Sequence, residues 1–167
     1  MRLEFYEEWL SPKGLRDGRM GLAPLQAVLS FLRQEGELYE PVVERAGELA
    51  AGWWLAELPS VRRAVTTSGP FWLRRRLALG LCQDLIRQTF RDSHVTVVWA
   101  AGQGQVTLGT CVFCDVREPV AHRLCGFYVS AITAVMGAVG LSSTVEVSTC
   151  RATGGAACVL RVTPEVP

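Results

Sequence analysis

Residues 118–162, EPVAHRLCGFYVSAITAVMGAVGLSSTVEVSTCRATGGAACVLRV, decide how this chain is read. Pro119 suits the first position of a helix, where its missing N–H costs nothing, and the small and apolar residues that follow predict a helix running to Gly140. His122 and Cys125 lie three apart and so share one face of that helix. A strand is predicted over Thr144 to Arg151, a turn over Ala152 to Ala156, and a returning strand over Ala157 to Val162. With the hairpin centred on Gly154, Cys150 and Cys158 fall opposite each other, their Cβ atoms roughly 4.5–5.5 Å apart. Two thiols so placed can share a metal, join in a disulfide, or serve as small core residues.

Working outward, the preceding residues alternate after Asp92. His94 to Ala101 reads as a strand with Val95, Val97 and Trp99 on one face; Gly102-Gln103-Gly104 turns the chain, and Gln105 to Cys111 returns with Val106 and Leu108 inward. Upstream the period is helical. Helices are predicted over Pro24–Arg33, over Glu37–Leu58 with Val42, Ala46, Leu49, Ala50, Trp53 and Ala56 on one side, and over Phe71–Phe90. Residues 1–22, rich in aromatics and glycine, read as an irregular lead-in. The sum is an α+β fold, about four helices packed on one face of a small antiparallel four-stranded sheet. It is organised as a single domain, 1–167, with a helical half at 24–90 and a hairpin-helix-hairpin half at 93–163.

A length of 167 residues suits one core. Hydrophobic residues make up 49% and mean hydropathy is +0.21, enough apolar material for a core together with a cavity or an oligomer face. A formal net charge of +1 gives no reason to expect nucleic acid or an anionic membrane as a partner. The apolar stretch from Phe127 to Leu141 is too short for a membrane span. The N-terminus MRLEFYEEWL is acidic and aromatic, unlike a secretory signal, so the six cysteines imply a reducing, cytoplasmic setting.

The order of a helix with an early Cys125, the string V-E-V-S-T-C ending at Cys150, a glycine turn, and Cys158 eight positions on resembles the C-terminal half of the 4-vinyl reductase domain family. That family is related to TRAPP-type trafficking subunits and to effector-sensing domains of aromatic-responsive transcription regulators. The resemblance covers about the last 75 residues and, before them, only the helix-rich layout. It implies a TRAPP-like fold holding a hydrocarbon-like or aromatic molecule between helices and sheet, and zinc at the cysteines. In zinc-bearing members a Glu stands three residues before the first hairpin cysteine; here Val147 occupies that position, and Glu146 points to the opposite face of the strand. The set His122, Cys125, Cys150 and Cys158 would close a tetrahedral structural zinc site with no open position for hydrolysis. Cys114 is the reserve ligand.

Cys111 and Cys114 form a C-x-x-C, a spacing used by zinc knuckles and dithiol redox centres. If the strand continues to Cys114, their side chains point to opposite faces and cannot share an ion, so packing is the expected role. Aromatics from separate elements, Trp53, Trp54, Trp72, Phe90, Trp99, Phe113, Phe127 and Tyr128, are the candidates to line an apolar cavity. They are equally the material of an ordinary core. Two histidines and no nucleophile elbow, P-loop or dinucleotide fingerprint leave no catalytic constellation. The reading is a non-enzymatic module that binds a small apolar or aromatic ligand and carries a structural metal. A TRAPP-like scaffold, and an accessory enzyme of tetrapyrrole reduction or a dithiol redox protein, are the alternatives. The small-residue face Gly126, Ser130, Ala134, Gly137 and Ala138 would let a second helix approach closely, which motivates a homodimer.

Overall fold

The computed structural model describes residues 22–60, 62, 68–90, 93–100 and 102–165; the lead-in expected over 1–22 falls, except for Leu22, outside them. Four α-helices are described, α1 (Leu22–Gln34), α2 (Tyr39–Ala56), α3 (Phe71–Thr89) and α4 (Gly126–Ala138), with four strands, β1 (Val95–Ala100), β2 (Gln103–Leu108), β3 (Ser143–Thr149) and β4 (Cys158–Pro164). Three short 3₁₀ turns, Gly36–Leu38, Val112–Cys114 and Arg151–Thr153, connect them.

All strand pairs are antiparallel, in the order β1-β2-β4-β3, so the two hairpins meet along β2 and β4. Alternation decides which side is covered. Val95, Val106, Leu108, Cys158, Leu160 and Val162 are buried under α3 and α4, whereas Thr96, Val98, Gln105, Thr144, Glu146, Ser148 and Arg161 face outward and are exposed. The fold is therefore α+β, with the helices on one face of the sheet. Gly104 sets the approach of α3 to that sheet: a Cβ there would stand 2.8 Å from Leu79 Cδ1.

α2 packs on α4 rather than on the sheet, and its buried stripe is Tyr39, Val43, Gly47, Ala51 and Trp54. The expected face was one residue out of phase, because small residues rather than large ones define the contact. A Cβ at Gly47 would meet Ser130 Oγ at 2.2 Å and the Phe127 carbonyl at 2.3 Å, so the two helices touch backbone to backbone there. Val42, Leu49 and Trp53 are left 44%, 39% and 47% exposed. The same contact uses the first part of the small-residue face of α4, Gly126 against Val43 and Glu44 and Ser130 against Gly47, so the helix that approaches there belongs to this chain, while Gly137 and Ala138 are exposed.

β2 runs Gln103–Leu108 where a turn over 102–104 and a strand over 105–111 were expected, and two further differences bear on the site. α4 begins at Gly126, not Pro119, because the chain over 115–125 runs as bends whose Val120 N–H donates to the Ala152 carbonyl at 2.7 Å, tying that segment to the distant β3–β4 turn. The β3–β4 ladder is irregular, with a register shift between Val147 and Thr149, and Thr149 pairs with Val159. The ladder ends at that pair, so Cys150 opens the turn instead of pairing with Cys158, which lies opposite Leu108 on the β2 side of β4.

Candidate metal centre

Four cysteines from three parts of the chain converge at one end of the sheet: Cys111 and Cys114 from the turn after β2, Cys125 at the start of α4, and Cys158 at the start of β4. Their sulfurs all lie within 4.8 Å of one another, and every one of these residues is buried.

Each sulfur is placed by local backbone chemistry. The alternation of β2 stops at Leu108, and Cys114 N–H donates to the Cys111 carbonyl at 3.1 Å, closing a 3₁₀ turn. In such a turn residues i and i+3 nearly eclipse, so both thiols point the same way. An extended strand would have opposed them; this is why the sequence expectation of opposite faces does not hold. α1 clamps the turn from outside, with Gln26 Nε2 donating to the Val112 carbonyl at 2.8 Å and Arg33 Nη2 to the Phe113 carbonyl at 3.0 Å. Cys125 occupies the N-cap of α4, its carbonyl accepting from Tyr128 N–H at 3.0 Å and Val129 N–H at 3.1 Å. The positive end of the helix dipole therefore faces the sulfurs and favours thiolates. Cys158 receives the Arg151 N–H at 3.3 Å.

A fifth sulfur adjoins the group. Cys150 Sγ stands 3.5 Å from Cys114 Sγ and 3.4 Å from Cys125 Sγ, and those two are 3.3 Å apart. Its carbonyl accepts from Thr153 N–H at 3.3 Å, Thr153 Oγ1 at 3.1 Å and Gly155 N–H at 2.9 Å, which fixes the residue as the first of a tight turn.

The protons on this group are unevenly held. Hydrogen bonds from Cys111, Cys114 and Cys125 hold the Cys158 thiol far below its usual range, with help from the Arg151 N–H. Hydrogen bonding with Cys111 pushes Cys114 and Cys125 well above theirs. Four crowded, buried sulfurs repel one another when ionised, so four thiolates require a cation among them. A tetrahedral tetrathiolate with metal–sulfur bonds near 2.3 Å has sulfur–sulfur edges of about 3.8 Å. Separations that start at 3.3 Å and stay within 4.8 Å bracket that edge, so the donor set fits a metal ion.

Of the residues singled out from sequence, Cys125 and Cys158 belong to the four, and Cys150 touches two of them. His122 is not among them: it is exposed, on a bend four residues before α4. Phe90, Phe113, Phe127 and Tyr128 form one aromatic cluster beside the sulfurs, with ring centroids 4.6–6.1 Å apart and Phe113 stacked on Phe127. Trp54 is buried and donates its indole N–H to Gln88 Oε1 at 2.9 Å. Trp99 donates to the Arg75 carbonyl at 3.0 Å, under the Arg75 guanidinium 5.2 Å away. Trp53 and Trp72 are surface residues. Sequence reasoning underrated the pair Cys111 and Cys114; the signal was Gly109-Thr110, which breaks the strand directly before the C-x-x-C.

No protein-family model matches the chain, and no curated protein matches it in sequence. Solved structures do. The phenol-responsive sensory domain of the transcription activator PoxR, bound to phenol, aligns with a TM-score of 0.56 at 16% identity, covering 87% of this chain and 75% of that one. A trafficking protein particle complex subunit 3 from Naegleria fowleri, covalently bound to palmitic acid, aligns at 0.51 and 14% identity, covering 88% and 84%. The chain has the TRAPP-like fold. An H-NOX protein from Shewanella oneidensis aligns on the TRAPP-like frame with a TM-score of 0.55 at 13% identity, covering 85% of this chain and 74% of that one. At these identities the likeness fixes the architecture alone.

Proposed function

We propose that this TRAPP-like chain is a small-molecule binding and sensing module whose helical and sheet halves are tied together by one structural zinc ion. The observation that carries the proposal is the buried group Cys111, Cys114, Cys125 and Cys158, drawn from a turn, a helix start and a strand far apart in sequence. Four thiolates select a soft or borderline ion, zinc above all, and complete its shell, so the ion would hold structure and perform no hydrolysis. All six cysteines are free, in keeping with a reducing, cytoplasmic setting. The ligand half of the proposal, an apolar or aromatic molecule, draws support from the shared frame with a phenol-binding sensory domain and from the aromatic cluster beside the thiols. A metal that fixes the 112–114 turn and the start of α4 also fixes Phe113, Phe127 and Tyr128, and so would couple the site to whatever those rings contact. Signalling output would pass through a partner, a second copy of the chain included.

The scaffold alternative, with an acyl group on a cysteine, meets a chemical obstacle at Cys82, the one thiol apart from the five neighbouring sulfurs. Burial pushes Cys82 up to about 12, which leaves almost no thiolate to attack an acyl donor. Native mass spectrometry with elemental analysis of freshly purified protein separates the readings. One zinc per chain and a non-covalent passenger lost on denaturation are expected, and the same spectrum reports whether the chain is a homodimer. A metal-free chain, or one with a covalent acyl mass, would remove the proposal.

A further inference from the structure

The fifth sulfur has no place in a four-coordinate site, yet it is closer to two of the four than a tetrahedral edge requires. Cys150 Sγ lies 3.5 Å from Cys114 and 3.4 Å from Cys125, against an edge of about 3.8 Å. An ion bound to Cys114 and Cys125 is therefore within reach of Cys150 without any movement of backbone. The sulfur best arranged to give way is Cys158, because the Arg151 N–H, one residue beyond Cys150, donates to it at 3.3 Å and would remain its partner after it left the metal.

We propose that the centre has two overlapping ligand sets sharing Cys111, Cys114 and Cys125, with Cys150 and Cys158 alternating as the fourth ligand to a single divalent ion. This rests on the reading that the group holds a metal. Exchange conserves charge and electrons: the Cys150 thiol gives up its proton as its sulfur bonds the ion, and the Cys158 thiolate takes up a proton as its bond to the ion breaks. Cys150 opens the β3–β4 turn and Cys158 begins β4, so the exchange moves the metal's anchor from strand to turn. A ligand that displaced the turn would thereby be felt at the ion.

Cobalt(II) added to the metal-free protein tests this, since its thiolate charge-transfer and d–d bands report the number of sulfurs and the geometry. The wild-type chain, Cys150→Ser and Cys158→Ser are each expected to bind one equivalent with a four-sulfur tetrahedral spectrum. The double variant is expected to show a three-sulfur spectrum and an affinity loss beyond the roughly hundredfold that outer-shell changes cost. Because a hydroxyl buried at 158 can itself unfold the chain, Cys158→Ala, which adds no polar atom, is measured beside it. A three-sulfur spectrum in both Cys158 single variants, with Cys150 still present, overturns the shared-ligand proposal while leaving the metal centre intact. A wild-type chain that takes up no cobalt overturns both.

Discussion

The two hairpins of the sheet are built to different ends. β1 and β2 pair in unbroken register from Val95↔Leu108 to Ala100↔Gln103, and Gly102, directly before β2, stands at φ 79. β3 and β4 lose register after Val147, and their connection is a 3₁₀ turn followed by Gly154 and Gly155. The first hairpin is held by its own ladder and by α3; the second gives up ladder bonds to set Cys150 and Cys158 against sulfurs from other parts of the chain. Backbone irregularity here marks where cohesion passes from hydrogen bonds to side-chain chemistry. A region of that kind should depend on metal, and its regular neighbour should not.

Cys125→Ser is the strongest way to break the contrast. It removes the ligand that α4 supplies and leaves the β1–β2 ladder itself untouched. Metal present at a thousandfold over its dissociation constant contributes about 4 kcal/mol through linkage. For a chain of this size each kcal/mol is worth about 2–4 °C, so Tm is expected to fall by roughly 8–16 °C. A strong chelator should lower the wild-type melt by a similar amount and leave the variant unmoved. A wild-type melt indifferent to the chelator would erase the difference between the two hairpins.

Much of the fold was legible in the residues, and the reasons it was legible show why the site was less so. Val95, Val97 and Trp99 alternate, as do Val106 and Leu108, and period two with a glycine between leaves little choice but a hairpin. α3 announced itself by its leucines. The phase of α2 did not, because Gly47 and Ala51 mark its contact with α4 by their smallness, whereas periodicity follows large residues such as Val42, Leu49 and Trp53. The sulfur group depends on features without period. The 3₁₀ turn that aligns Cys111 with Cys114, the end of the β3–β4 ladder at Thr149 that leaves Cys150 unpaired in the sheet, and the hydrogen bond from Val120 to Ala152 that delays α4 and leaves His122 outside are each single local events. Cys150 and Cys158 follow from the hairpin spacing, Cys125 from an order along the chain that resembles a known pattern, and Cys114 enters as the reserve; Cys111 joins them only once Gly109-Thr110 is seen to end the strand before the C-x-x-C.

A paired glycine experiment sharpens the contrast at a smaller scale. A Cβ at Gly155 would stand 2.6 Å from Thr149 Cγ2 and 2.7 Å from the Cys150 carbonyl, and a backbone atom cannot step aside. Gly155→Ala is expected to cost about 1–3 kcal/mol as overpacking and to shift Cys150 away from Cys114 and Cys125. Gly102→Ala has open space but a left-handed backbone, at a cost of about 1–2 kcal/mol. The two should melt within a few degrees of each other. Only Gly155→Ala should weaken metal binding in competition with a chelating dye, and equal weakening in both would mean the β3–β4 turn has no special tie to the sulfurs.

The smallest effect sets the two regions apart by pH. Cys82 lies fully buried in α3, which packs on β1 and β2, and burial raises its thiol from the usual 9.0 to about 12. Between those values the unfolded chain releases a proton that the folded chain keeps, so the stability from keeping this thiol neutral is complete below pH 9 and is lost as pH climbs toward 12. From pH 8.5 to 9.5 the loss is less than about 1 kcal/mol, or roughly 2 °C of Tm. Cys82→Ala, uniformly less stable for its lost sulfur, should show an alkaline slope shallower by that amount. The sulfurs of the candidate centre respond in the opposite sense, because a bound ion depresses its ligands and protons compete for them as pH falls. Thermal melts of zinc-loaded wild type and Cys82→Ala from pH 5 to 10 would show both limbs. An alkaline limb unchanged in Cys82→Ala would mean that the thiol under α3 is not the group that titrates there.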